Sequence, residues 1–312
     1  MSSIVPPEER KDTPQKEGEK IQVAVRVRPP LTSELVKEEV VLCGNNGTSI
    51  KIVDHTHLIE SSYDAVFSTK SAQSDVYDFA KESVLSVFDG INCTIFAYGQ
   101  TGSGKTYTMF GPNWEESVQA GVTQLLGGTR KAETSTFSFD LDFHGIIPRA
   151  INDVFQRIAD IQTSTKFTLV CSFLQVYNEK LYDLLQDPKT IKPLQIREEK
   201  LTGIYVEGLT EYVIMNARDC FALLRRGERN RKTRQTRANI SSSRSHSIFQ
   251  LMIETDRVDK RGFLKRAKLN LCDLAGSEKI NKEEEMGNKH FQELTTINRS
   301  LTTLGKVISS IC

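Results

Sequence analysis

Eight consecutive residues carry the strongest chemical signal in the chain: Gly99, Gln100, Thr101, Gly102, Ser103, Gly104, Lys105 and Thr106. Their order matches G-x-x-x-x-G-K-[ST], a loop that cradles phosphate. Glycines there let the backbone turn its N–H groups inward around anionic oxygens. A helix opening at Lys105 would add its positive N-terminal end. In that pattern the Lys105 ammonium reaches the β- and γ-phosphates, and the Thr106 hydroxyl ligates Mg²⁺. A second signal is LNLCDLAGSE, where Asp273 closes an apolar run and Gly276 and Glu278 follow. Alone, an Asp ending a strand serves as a turn or cap residue. Beside a phosphate loop it reads as the carboxylate that holds a metal's water shell. Gly276 would then donate its N–H to a γ-phosphate and move when that phosphate leaves. The third signal is NISSSRSH, Asn239 to His246, with four hydroxyls and Arg244. In isolation it reads as a solvated loop. Next to a nucleotide it supplies a metal ligand and positions water, which is most of what phosphoryl transfer needs.

Such residues must be held by elements, and the hydrophobic periodicity places them. Ile21 to Val27 alternates as a half-buried strand ended by Pro29 and Pro30. Ser74 to Phe88 follows helical spacing, with Asp89-Gly90 as its stop. Cys93 to Tyr98 is a short apolar run that flows into the glycine loop, so strand, loop and helix follow in nucleotide-binding order. Residues 111–144, rich in Gly, Ser and Thr and holding the single Trp114, read as a long surface loop. Helical spacing resumes over Ile147 to Ile161. Phe167 to Val176, Ser247 to Glu254 and Ala267 to Cys272 read as strands, and Leu194 to Ile214 as hairpin material. Asn216 to about Arg234 reads as a helix that becomes very basic. His290 to Cys312 carries an unbroken stripe (Phe291, Leu294, Ile297, Leu301, Leu304, Ile308, Ile311) that stops without a capping residue. Strands alternating with helices define an α/β class around a largely buried sheet.

Composition narrows the function classes. Over 312 residues, 41 Lys and Arg oppose 40 Asp and Glu, a formal charge of +1, so no global field marks a nucleic-acid partner. The run Arg225 to Arg237 holds seven cations and one Glu. It reads as a solvated helix end in preference to a phosphate-neutralising patch. Six cysteines stand singly, without CxxC or CxxH spacing, which suits a reducing compartment. No apolar stretch approaches the ~20 residues of a membrane span. The first twenty residues carry nine charges and three prolines and read as a disordered leader.

The three signals, in this order and spacing, resemble the kinesin motor domain. AVRVRPP, TIFAYGQTGSGKTYTM, GIIPRA, VYNEKLYDLL, NISSSRSH, LCDLAGSE and INRSLTTLG all stand as kinesin landmarks, and the resemblance covers residues 21–312 without assigning a subfamily. It implies an α/β P-loop NTPase fold, a central, mostly parallel β-sheet flanked by helices on both faces. It implies ATP and Mg²⁺ as ligands, microtubules as partner, and a place in the cytoplasm on the cytoskeleton. Arg26, Arg28 and Pro29 would border the adenine and Tyr107 would stack on it. Gly99, Gln100, Thr101, Gly102, Ser103, Gly104, Lys105 and Thr106 would wrap the phosphates. Thr106 and Ser243 would ligate Mg²⁺, with Asp273 acting through water. Asn239 and Ser245 would orient the attacking water and pass its proton, Gly276 would sense the γ-phosphate, and Glu278 would pair with Arg244 to close the site. The helix from about His290 would lie on the microtubule, with Asn298 and Arg299 at contacting positions.

Several departures from the family pattern qualify that expectation. The segment 111–144 is long, Arg234 and Arg237 replace small or neutral residues, and Glu283, Glu284 and Glu285 make the loop after Glu278 acidic. An acidic loop facing acidic tubulin lowers the expected microtubule affinity. Kinesins continue past INRSLTTLG with a strand of the central sheet, two helices and a neck linker, so the expectation is a motor domain without those parts. Oligomeric state stays open because no coiled coil is legible, and direction and cargo because neck and tail are not legible either. Two other readings stand beside the motor: a non-motile microtubule- or partner-binding derivative, and a different P-loop NTPase.

Overall fold

The computed structural model describes residues 21–34, 40–54, 57–115, 143–161, 166–200, 203–238, 242–258, 264–278 and 288–311. The expected leader, Asn239, the centre of the 111–144 segment, Glu283 to Glu285 and Cys312 lie outside them. In chain order the strands are β1 (Ala24–Arg26), β2 (Val41–Cys43), β3 (Ser49–Asp54), β4 (His57–Ser62), β5 (Ala65–Phe67), β6 (Cys93–Ala97), β7 (Phe167–Tyr177), β8 (Lys180–Asp183), β9 (Gln195–Glu199), β10 (Gly203–Glu207), β11 (Tyr212–Ile214), β12 (His246–Val258) and β13 (Leu264–Asp273). The α-helices are α1 (Gln73–Leu85), α2 (Lys105–Met109), α3 (Ile146–Ile161), α4 (Ala217–Ala238) and α5 (Asn288–Ile311).

The central sheet runs β11-β7-β12-β13-β6, with β8 paired to β7. Only β13 and β6 run parallel in it, whereas β11–β7, β7–β8, β7–β12 and β12–β13 are antiparallel. The α/β P-loop class stands, but the expectation of a mostly parallel sheet is corrected to a mixed one. Connection length accounts for two of those antiparallel pairs. Five residues join β12 to β13 and two join β7 to β8, and such short links can only reverse the chain. β1 pairs with β5 in a separate two-stranded unit and is not bonded to β6.

Alternation along the inner strands sends side chains to two layers. On one face Phe173, Phe249, Leu251, Leu269 and Leu271 pack with Val84 of α1, Ile147, Ile151 and Val154 of α3, and Phe221 and Leu224 of α4. On the other, Cys272, Leu274 and Ala275 pack on Ile297 and Leu301 of α5. Each fully buried side chain of this kind contributes about 1.5–3 kcal/mol. Gly227 lets α4 approach β7, since a Cβ there would lie 2.1 Å from Phe173 Cδ1. The expected stripe on α5 is buried at Ile297 and Leu301 and open at Ile311.

Near the ends of the 111–144 segment, single side chains turn inward beside exposed neighbours such as Asn113 and Phe143. Trp114 is buried and stacks at 5.5 Å on Phe110, and His144 is fully buried. The indole's large apolar area favours burial of Trp114 at the first of these ends.

Candidate active site

The site is assembled at one end of the inner strands. Register sets Asp273, the last residue of β13, beside Ala97, the last of β6, and opposite Ser247 at the start of β12. The glycine loop leaves β6 at that point and enters α2. Gly102 and Gly104 sit at φ +78° and +99°, a region that costs other residues strain. Helix α2 is little more than one turn, so the loop's own N–H groups must supply most of the anion-binding field. Lys105 crosses the loop and donates from Nζ to the carbonyls of Gly99 and Gln100, each at 2.9 Å. Burial lowers its pKa, and the carboxylates of Asp273 and Glu278 work against that shift.

Thr106 donates from Oγ1 to Asp273 Oδ2 at 2.7 Å, which joins two of the three expected metal-site residues directly. The other carboxylate oxygen, Oδ1, is buried and has no hydrogen-bond partner among the described residues. A buried anionic oxygen without a donor is costly, and the water shell of a hard cation would satisfy it. The residues present therefore fit Mg²⁺ with phosphate. Arg231 of α4 donates to Asp273 Oδ2 at 3.3 Å and pairs with Glu228 at 2.9 Å, all three being almost fully buried. Burial alone would lower the Arg231 pKa, but Glu228 and Asp273 outweigh it and raise it, so the guanidinium stays charged. Burial and the nearby Asp273 push Glu228 up, with Arg231 opposing.

The two loop signals meet over this floor. Ser243 and Arg244 lie in a 3-10 turn, Ser242–Arg244. The Gly276 N–H donates to the Ser243 carbonyl at 2.8 Å, and the Ser277 N–H to the Gly99 carbonyl at 3.1 Å. Those backbone bonds lay 276–278 along the glycine loop. Consequently Glu278 accepts from the Thr101 N–H at 2.9 Å and from its hydroxyl at 2.5 Å. The backbone thus carries the Glu278 carboxylate over Thr101, and its described bonds run there. Burial works against the charge of Glu278, but the Thr101 bonds outweigh it and hold its pKa below the ordinary value. Ser245 is buried and accepts from Gln175 Nε2 at 3.0 Å.

At the outer edge, Arg26 lies with its Cζ 5.1 Å from the Tyr107 ring and donates to Gln73 Oε1 at 2.8 Å and Thr108 Oγ1 at 3.0 Å. Gln73 in turn donates to the Tyr107 carbonyl at 2.7 Å. Arg26 and half-exposed Tyr107 thus come together as a platform. Arg28 instead makes a two-pronged pair with Glu34, 2.9 Å on each oxygen, beside exposed Pro29. Asn298 is half-buried and Arg299 exposed on α5.

Sequence reasoning missed Gln73, Glu34, Gln175 and Glu228. The basic run hid the last, since Glu228 and Arg231 turn inward. Arg234 also turns in, donating to Gln175 Oε1 at 3.0 Å with its Cζ 3.7 Å from the Tyr182 ring. A lone Glu at i−3 from an Arg inside a cationic run was the available signal.

A phosphate loop between a buried strand and a helix, with a carboxylate ending the adjacent parallel strand, defines the P-loop NTPase class. Within that class the chain belongs to the kinesin motor family, since the model of the kinesin motor domain matches residues 26–312. It is 40% identical over 296 residues to kinesin-related protein 5 of Dictyostelium discoideum, a match covering 93% of this chain and 27% of that protein. Kinesin-like protein KIN-5A of Arabidopsis thaliana is 37% identical over 314 residues, covering 94% and 28%. A solved structure of a fast kinesin, 34% identical, aligns with a TM-score of 0.76 over 93% of this chain and 75% of that one. The chain spans little more than a quarter of the length of the two curated relatives. Members of the family are microtubule-binding ATPases of the cytoskeleton, and their fold binds nucleotide, typically with Mg²⁺. No helix among the described residues is long and apolar enough to cross a membrane.

Proposed function

We propose that this chain hydrolyses ATP at the glycine loop and couples hydrolysis to microtubule binding and movement. One observation carries the reading. Segments far apart in sequence, 99–106, 243–245 and 273–278, converge through Thr106–Asp273, Gly276–Ser243 and Ser277–Gly99 bonds. Residues Gly99 to Thr106 would wrap the phosphates, with Lys105 free to exchange its loop carbonyls for phosphate oxygens. Thr106 and Ser243 would offer hydroxyls to Mg²⁺, and Asp273 would hold its water shell. The metal supplies neutralisation of the charge that builds on the transferred group.

Ser245 gives one lone pair to Gln175, which leaves one acceptor position and one O–H to orient water. Asn239 shares that role. Arg26 and Tyr107 offer the platform for the base. Glu278 keeps the charge needed to draw the catalytic waters into place. To sense γ-phosphate the Gly276 N–H would leave the Ser243 carbonyl and return to it when that phosphate is lost, and the adjoining loop packs directly on α5, the proposed microtubule-facing helix with Asn298 and Arg299.

Glu278→Ala tests the assignment. ATP should still bind, while single-turnover hydrolysis falls about 10²- to 10³-fold, the range for losing one preorganised electrostatic group. Turnover at the wild-type rate would refute it.

A further inference from the structure

His246 ends the NISSSRSH stretch, and neither the phosphate site nor the water-positioning set uses it. Its ring is buried beneath the loop that follows Asp273. Nδ1 accepts the Ala275 N–H at 3.0 Å, and Nε2 lies 2.8 Å from Ser300 Oγ on α5. Ser300 spends its own hydrogen on the Ile297 carbonyl, at 2.7 Å. Those partners leave one tautomer: Nδ1 is bare, Nε2 carries the proton, and Ser300 Oγ accepts it. The result is a one-directional chain from the Ala275 N–H through the imidazole and the Ser300 hydroxyl to a backbone carbonyl of α5.

The placement of that chain matters. Ala275 precedes Gly276, whose N–H is held by the Ser243 carbonyl. Two consecutive N–H groups of the loop are thus bonded to two ends of one short stretch, Ser243 and His246. Around the ring, Cys272, Leu274 and Ala275 meet Ile297 and Leu301. Apolar packing of that kind is non-directional and tolerates a small slide. The hydrogen bond does not, because it weakens steeply with distance and angle. Slipping α5 by one residue moves Ser300 by about 1.5 Å and turns it by about 100°.

We propose that His246 is a positioning residue that fixes the register of α5 against the Ala275–Gly276 loop. Through it, a change at Gly276 sets the microtubule affinity of α5. The proposal rests on the motor reading above and adds the residue through which nucleotide state reaches the partner-binding helix.

The test compares microtubule affinity of the chain with ADP and with a non-hydrolysable ATP analogue, in wild type, His246→Phe, Ser300→Ala and the double variant. Phe keeps the ring and removes both nitrogens, and Ser300→Ala breaks the far half of the bracket at a partly buried site. The ratio of the two affinities should shrink about 3- to 10-fold in each single variant, the 1.4 kcal/mol-per-decade worth of one lost hydrogen bond. The double variant should lose no more than the larger single loss. His246→Gln, whose amide offers an acceptor and a donor, should recover part of the ratio. Basal turnover without microtubules in Ser300→Ala should stay within about twofold of wild type, since a hydroxyl on α5 touches no reacting group.

Unchanged ratios in His246→Phe and Ser300→Ala, or losses that add in the double variant, would overturn the proposal while the motor reading stands. If His246→Phe does not fold, Ser300→Ala decides by the same ratio. A wild-type chain whose microtubule affinity ignores nucleotide refutes the motor reading and the proposal together.

Discussion

Lowering the pH from 7.5 to 5 should remove about 2 kcal/mol of folding stability through His246 alone. Burial depresses the folded pKa of this ring from 6.5 to about 4. Geometry gives the same sign, because a proton on Nδ1 would point at the Ala275 N–H, setting donor against donor. The folded state therefore binds fewer protons than the unfolded chain between those two values. Its contribution is fully present above pH ~6.5 and is lost as pH falls toward ~4. The whole shift amounts to roughly 3 kcal/mol at about 1.4 kcal/mol per unit, of which about 2 kcal/mol has gone by pH 5. Urea unfolding of wild type and His246→Phe at pH 7.5, 6 and 5 isolates the effect, since carboxylate titrations cancel in the difference. Wild type should lose about 2 kcal/mol more than the variant across that range. Parallel stability curves would refute the assignment of a neutral, acceptor Nδ1.

Two further perturbations test the scaffold under the site. Gly227→Ala drives a Cβ into Phe173, itself fully buried, and should cost about 1–3 kcal/mol by overpacking, read as a lowered unfolding midpoint. Arg231→Met leaves the Glu228 and Asp273 carboxylates buried without their cation and should cost about 3–5 kcal/mol, with Glu228→Gln in the same background recovering part of it.

Much of the site was legible because its chemistry is local. The glycine loop, the strand before it and the acidic end of β13 each announce themselves within ten residues, and register then brings Asp273 to Thr106. The alternation of Phe249, Leu251 and Ile253 placed β12 in the core for the same reason. What escaped was non-local or lacked contrast. Sheet β2-β3-β4 was not foreseen, since Leu58 and Ile59 stand exposed at 64% and 55%, and among its described residues Ile50 alone is buried. Parallel or antiparallel pairing depends on which strands become neighbours, and composition within a strand does not set that. Glu228 and Arg231 looked like members of a solvated run, and their partner Asp273 lies 42 residues further on. The Glu278–Thr101 bonds were not legible, because backbone bonds at Gly276 and Ser277 decide where that carboxylate lands.

Steady-state phosphate release from ATP by this chain, with and without microtubules, addresses the central claim most directly. The account predicts turnover that rises with microtubule concentration and disappears in Lys105→Ala, which removes the cation bridging the loop. A rate indifferent to microtubules, or a Lys105→Ala chain that turns over as wild type does, would contradict it.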